Sequence, residues 1–324
     1  MPEFNPSRIG IVGYGEVGRI FGAGLRDQSP QPSVGAWDRK LTDPGQQAAL
    51  RQHADACGVA LQGSMAALCE AASGGLIISA VTASNALDAA QEAAGHLAPG
   101  TVFLDLNSAS PGTKKACAEH IEASGGRYVE AAVMTSVPPY GLRVPMLLGG
   151  PHAGLLQATL QQWGMDAQVA SAEWGVASAI KMCRSVMIKG LEALVIESYA
   201  TARAYGVEAH MLPTLQETFP GIDWSAQGSY FFSRVVQHGQ RRAEEMREAA
   251  RTVREAGFEP FMAEAIADKQ QWMADQARAG CFAAMAGAGQ PHPWQDYADR
   301  LLAARGTQAD QGEPSHIGMP DGKT

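Results

Sequence analysis

The sequence predicts an α/β architecture: a doubly wound sheet, then an all-helical domain, with a long helix joining the two. Three observations carry this. Short apolar runs alternate with alanine-rich stretches of helical spacing through the first half of the chain, the pattern of βαβ units and a mainly parallel sheet. A proline-free segment from residue 171 to about 203 is apolar around most of a helix circumference, as a buried connecting helix requires. Beyond it, helical periodicity recurs over residues 226–256, 259–279 and 293–304. With 324 residues, 46% of them hydrophobic, the chain is long enough for two cores. The expected division is 1–170, then 171–305, then a tail over 306–324 that is rich in Gly, Pro, Gln and Asp and should be mobile.

The first strand, 9–12, breaks into Gly13-Tyr14-Gly15-Glu16-Val17-Gly18, a G-x-G-x-x-G followed by Arg19, Ile20 and Phe21 at helical spacing. Gly13 permits the tight strand-to-helix turn, Gly15 lets a pyrophosphate approach the backbone, and Gly18 lets the helix pack closely on the strand. The first-turn N–H groups would bind the phosphates, so this is a Rossmann-type dinucleotide turn. A second strand, 34–37, ends in Asp38, twenty residues beyond Gly18, where a carboxylate accepts hydrogen bonds from the adenosine ribose. Asp38 argues for NAD, because it would repel a 2′-phosphate. The following Arg39 and Lys40 are cations that could bind that phosphate, so NADP stays open.

Further strands are expected at 76–81, 102–106, 128–133 and 145–148. Ligands of such sheets lie beyond the carboxyl ends of the strands, so the turns matter most. Val81 and Thr82 are expected at the nicotinamide ribose, and Asn107 and Ser108 at the nicotinamide or the substrate. Turn and helix-start chemistry accounts for Asn and Ser there equally well. In the long helix Lys181, Arg184, Ser185, Ile188 and Glu192 fall on one face, a polar stripe suited to lining a cleft.

A net charge of −8 without a strongly basic stretch argues against an electrostatic nucleic-acid surface and points to a small-molecule partner. No signal-like start and no apolar run of membrane-spanning length stand in the sequence, so a cytoplasmic location is expected. Five cysteines without a C-x-x-C pair read as reduced thiols, and eight dispersed histidines without H-x-x-x-H spacing predict no metal site. The charged run over 241–248 offers Glu–Arg pairs three residues apart and reads as a solvated helix face. Tyr230, Phe231 and Phe232 read as core, and His238 as an ordinary helix residue.

Taken together, GYGEVG, the strand end ISAVTAS, LDLNSASPG, the glycine pair before Pro151 and GVASAIKMCRS resemble the β-hydroxyacid dehydrogenase superfamily over roughly residues 8–280. That group includes 3-hydroxyisobutyrate and 6-phosphogluconate dehydrogenases. The likeness is closer to a branch with a phosphogluconate dehydrogenase-like helical domain of formerly unknown function. It implies a Rossmann domain, a helical domain that builds a homodimer, and NAD(P)-dependent hydride transfer to or from a small hydroxy acid or related alcohol or carbonyl.

In the family signature G-x-x-x-x-x-K-x-x-x-N, Gly175 and Lys181 match and Ser185 occupies the asparagine position. The resemblance therefore implies Lys181 as the general acid–base group. Burial and the neighbouring cations Arg184 and Lys189 would bring its proton affinity toward working pH. Where the family places a serine and two glycines for the substrate carboxylate, this chain has Met134, with Thr135 and Ser136 as nearby hydroxyl donors. The later K-D-L segment becomes Glu244-Glu245-Met246, with Arg184 and Lys189 as substitute cations. These departures imply a substrate other than 3-hydroxyisobutyrate. They leave open an imine reductase, a decarboxylating hydroxyacid dehydrogenase and, outside enzymes, a dinucleotide sensor or scaffold.

Overall fold

The computed structural model describes residues 4–285 and 292–309. Packing divides the chain into two compact units, Met1–Val186 with Glu244–Ala263, and Met187–Ala243 with Glu264–Thr324. The expected limit at 170/171 falls within the last strand, Ala167–Ser171, whereas the packing limit lies within the long helix at Val186.

The first unit contains β1 (Arg8–Val12), α1 (Glu16–Arg26), β2 (Ser33–Trp37), α2 (Pro44–Cys57), β3 (Ala60–Leu61), α3 (Met65–Ala71), β4 (Leu76–Ser79) and α4 (Ala86–Ala94). It continues with β5 (Val102–Asp105), α5 (Pro111–Ala123), β6 (Arg127–Val133), β7 (Met146–Gly149), α6 (Ala153–Gln162) and β8 (Ala167–Ser171), and α7 (Val176–Tyr205) begins in it. The strands form one sheet in the order β3-β2-β1-β4-β5-β6-β7-β8. All neighbours are parallel except β6 and β7. The carboxyl ends of β1, β2, β4, β5 and β6 therefore share one edge, where such sheets bind ligands.

Side chains alternate across each strand, and both faces are buried. Ile9, Ile11, Leu76, Ile78, Val102, Leu104 and Val129 enter one core, which holds residues of α1, α2 and α6. Val12, Ile77, Phe103 and Tyr128 enter the other, with residues of α3, α4 and α5. The sheet is thus covered on both faces, the doubly wound arrangement expected. Two strands lie beyond those expected: β3 is two residues long, and β8 has mostly exposed positions, so neither shows an apolar run.

The second unit is helical, with the later part of α7, α8 (Glu208–Thr218), much of α9 (Trp224–Glu255), α10 (Phe261–Arg278) and α11 (Trp294–Ala309). Its core gathers Val195, Ile196, Tyr199, Trp224, Phe232, Met273, Trp294 and Tyr297. Tyr199 and Trp294 meet edge to face with centroids 4.8 Å apart. Phe232 is in that core and Phe231 packs against it, while Tyr230 is exposed. Helix α8 forms although it contains Pro213. Helix α11 runs to Ala309, four residues into the tail expected to be mobile; residues 310–324 lie outside those described.

The charged run requires a correction. Arg242, Ala243, Met246 and Glu248 are buried, because α9 turns that face inward and its charges find partners there.

Candidate functional site

The glycine turn leaves β1 with Gly13 at φ 88°, in the left-handed region that glycine occupies without strain. A Cβ on Gly18 would overlap the Gly13 carbonyl oxygen, so glycine there lets α1 lie against the turn. Gly15 differs. It is the N-cap of α1 at φ −79°, and an added Cβ would meet nothing within 4 Å. Open space thus faces a helix N-terminus whose first amides have no intrahelical partner, which fits a pyrophosphate. Gly15→Val is therefore expected to keep the parent's thermal midpoint while weakening NADH binding about tenfold or more, as steric loss of a phosphate site would. Fluorescence titration beside a melting curve checks both halves; a parallel fall in stability would contradict the open-space reading.

Asp38 stands over this turn. Its Oδ2 accepts from the Tyr14 backbone N–H at 2.7 Å and its Oδ1 from that of Lys40 at 2.8 Å. Lone pairs remain on both oxygens for ribose hydroxyls. The Tyr14 side chain points into the core, with its hydroxyl 3.0 Å from His53 Nδ1, and burial pushes the phenol up to about 12. Only the Tyr14 backbone faces the turn. Val17 also packs on the core, and Glu16 is exposed in the first turn of α1. Arg39 is exposed, its guanidinium 3.5 Å from Asn85 Oδ1. Asn85 in turn donates to Thr82 Oγ1 at 2.6 Å, so the turns after β2 and β4 adjoin.

Asn107 is 4% exposed, and its amide is engaged at both ends. Oδ1 accepts from the Val81 N–H at 2.7 Å, and Nδ2 donates to Ser79 Oγ at 3.0 Å. The side chain expected at the nicotinamide or substrate therefore ties the end of β4 to the end of β5. Beneath it lies a buried ion pair that sequence reasoning missed. Lys114 Nζ is 2.9 Å from Asp105 Oδ1, and both side chains are at most 1% exposed. Asp105 also accepts from the Asn107 N–H at 2.8 Å and from the Tyr128 hydroxyl at 2.7 Å. Burial, with Asp105 adding to it, raises the Tyr128 phenol well above its ordinary value and keeps it a donor. The available signal was an acid closing an apolar strand nine residues before a lysine.

Helix α7 is held at its start by Glu130 of β6, which is fully buried. Oε1 accepts from the N–H groups of Gly175 and Ala177 at 2.9 and 3.0 Å, and Oε2 from Ser178 Oγ at 3.0 Å. Burial outweighs Lys114 and the three hydrogen bonds and raises this carboxyl above its ordinary value. A carboxylate at a helix N-terminus is favoured by the unpaired amides and the helix dipole. Lys181 lies on the next turn, and its Nζ donates to Ser108 Oγ at 2.5 Å.

The expected polar stripe on α7 divides. Lys181 is half-buried, and Ser185, Lys189 and Glu192 are buried, but Arg184 and Ile188 are exposed. Rotation of 100° per residue explains this, because 181, 185, 189 and 192 follow one face more closely than 184 and 188 do. Arg184 is therefore not among the buried groups of that face. Glu192 pairs with Arg242, whose Nε lies 2.9 Å from its Oε2, and accepts from Gln270 at 3.3 Å. Met134, Thr135 and Ser136 follow β6 on the same sheet edge as the glycine turn. The Met134 N–H donates to Pro145 O at 2.9 Å, and Thr135 is exposed.

Among the described residues, no three His, Cys, Asp or Glu side chains are grouped to hold a metal ion. No described helix is long and apolar enough to cross a membrane.

A glycine turn beneath an aspartate, followed along one sheet edge by a hydroxyl held by a lysine, defines a nicotinamide-dinucleotide-binding protein. Residues 8–142 match the NAD-binding domain of 6-phosphogluconate dehydrogenase, and residues 202–273 match a domain of unknown function, DUF1932. A conserved hypothetical protein from Sinorhizobium meliloti 1021 is 35% identical with a TM-score of 0.70, covering 94% of this chain and 97% of that one. The conserved protein MTH1747, of unknown function and described as structurally similar to 3-hydroxyacid dehydrogenases, is 30% identical with a TM-score of 0.65, covering 84% and 98%. A 3-hydroxyisobutyrate dehydrogenase from Mycobacterium tuberculosis, 16% identical over 93% of this chain and 99% of its own, shares the fold with a TM-score of 0.62. The chain belongs to the β-hydroxyacid dehydrogenase superfamily, in the branch that couples this NAD-binding domain to DUF1932.

Proposed function

We propose that the protein is an NAD(P)-dependent dehydrogenase or reductase acting on a small hydroxy acid or related alcohol or carbonyl, with Lys181 as its general acid–base group. The observation that carries this is the Lys181 amine held against Ser108, on the turn that follows β5. The amides of the Gly13–Gly18 turn would hold the pyrophosphate, Asp38 the adenosine ribose, and the Val81–Thr82 turn the second ribose. The bound cofactor accepts or supplies the hydride. In oxidation the neutral Lys181 amine takes the hydroxyl proton as the C–H bond gives up its electron pair; in reduction its ammonium returns a proton to the forming alkoxide. Asp38 favours NAD over NADP, since its carboxylate would face a 2′-phosphate.

Cofactor absorbance followed across hydroxy acids, aldehydes and imines, with NAD and NADP in parallel, tests this reading. Turnover of a hydroxy acid or its carbonyl, faster with NAD, is expected. Turnover confined to imines, or none with either cofactor, would overturn it.

The protein is further read as a homodimer. Met187, Leu191 and Leu194 of α7 are 66%, 37% and 57% exposed at spacings of four and three residues, one apolar helix stripe that a second copy would cover. A solution mass of twice the chain by light scattering is expected, and a monomer at micromolar concentration would refute it. All five cysteines are free thiols, which suits a cytoplasmic location.

A further inference from the structure

We infer that Ser108 is a positioning residue for the Lys181 amine: its hydroxyl oxygen receives one ammonium N–H and so sets the direction of the others. This rests on the reading of Lys181 as the acid–base group. A lysine stem has four rotatable bonds, and its ammonium is a compact donor without a preferred plane, so helix placement alone leaves its nitrogen free to wander. The 2.5 Å contact to Ser108 Oγ is a charge-assisted hydrogen bond that selects one arrangement.

Both partners are mounted on clamped segments. Upstream of Ser108, the Asn107 N–H is held by Asp105 and the Asn107 amide by Ser79 and Val81. Downstream, the Ser110 N–H donates to Glu248 Oε2 at 2.8 Å, Ser110 Oγ to Glu255 Oε1 at 2.8 Å, and the Gly112 N–H to Glu255 Oε2 at 2.8 Å. Two carboxylates of α9 thus cap α5 while a third, Glu130, caps α7. The hydroxyl and the amine are consequently delivered to one another by three carboxylate caps at two helix starts. Ser108 and Lys181 are each half-buried, which leaves their pair reachable by a reactant.

The test uses the full chain labelled with 15Nζ-lysine, at fixed pH and temperature, with Lys181→Arg assigning the resonance. In the parent the hydrogen-bonded ammonium protons of Lys181 should exchange slowly enough to be seen. In Ser108→Ala the signal should vanish into fast exchange, Ser108→Cys with its weak acceptor should lose it in part, and Ser108→Thr should restore it. On the substrate picked out by cofactor absorbance, Ser108→Ala should lose about 10²-fold in kcat with the NADH Kd unchanged, the cost of a misplaced reacting group. A Lys181 signal equally protected in Ser108→Ala and Ser108→Cys would overturn the inference. Parent-rate turnover by Lys181→Met would instead overturn the acid–base reading, and the exchange measurement would still decide whether Ser108 holds the amine.

Discussion

Lys181→Met is expected to lower turnover by about 10²- to 10⁴-fold, the range that removing a general acid–base group commands. Methionine preserves much of the apolar stem but can neither take nor return a proton. The start of α7 should persist, because its cap is built from Glu130, Gly175, Ala177 and Ser178 and does not involve Lys181. The glycine turn and Asp38 are likewise untouched, so NADH should bind with the parent's Kd. Paired fluorescence titration and absorbance kinetics separate the two effects. Lost turnover with retained binding marks an enzyme with this amine at its centre, whereas a dinucleotide sensor would keep its response. A variant that turns over at the parent rate would end the assignment.

The largest stability effect is expected from Lys114→Met. The change removes the cation from a pair in which neither side chain is more than 1% exposed and leaves the Asp105 carboxylate with only the Tyr128 hydroxyl and the Asn107 N–H as recorded donors. Breaking one side of a buried pair costs about 3–5 kcal/mol, because the remaining charge is uncompensated. Urea unfolding should show that loss, and adding Asp105→Asn should recover part of it by removing the stranded charge. Because Asp105 also holds Asn107, and Asn107 holds Val81, the single variant should weaken NADH binding as well. A loss below about 1 kcal/mol, the worth of an exposed pair, would show that water reaches the pair.

What was legible in the sequence was whatever repeats locally. The short apolar runs of β1, β4 and β5, the glycine spacing at 13, 15 and 18, and the acid closing β2 each lie within a short window whose physics is local. Lys181 was singled out through its motif. Its contact with Ser108 was not, because Ser108 lies 73 residues away and a serine in a turn has many ordinary reasons to be there. The caps were hidden for the same cause: Glu248 and Ser110 are 138 residues apart, and the charges around Glu248 imitate a solvated helix face. Asn107 was placed at the right strand end but given an outward role, since sequence does not reveal whether an amide turns toward a ligand or toward the neighbouring strand. Edge strand β8 escaped because most of its side chains are exposed, and α8 because Pro213 argues against the helix that contains it.

The return of residues 244–263 to the first unit bears on how this gene can be divided. A fragment stopping at Val186 would carry every strand of the sheet yet lack the two acids that seal the start of α5. Its nucleotide-binding lobe would emerge with Ser110 and Gly112 stripped of acceptors. A graft of this lobe onto another helical partner must therefore bring residues 244–263 with it, or leave those donors to solvent.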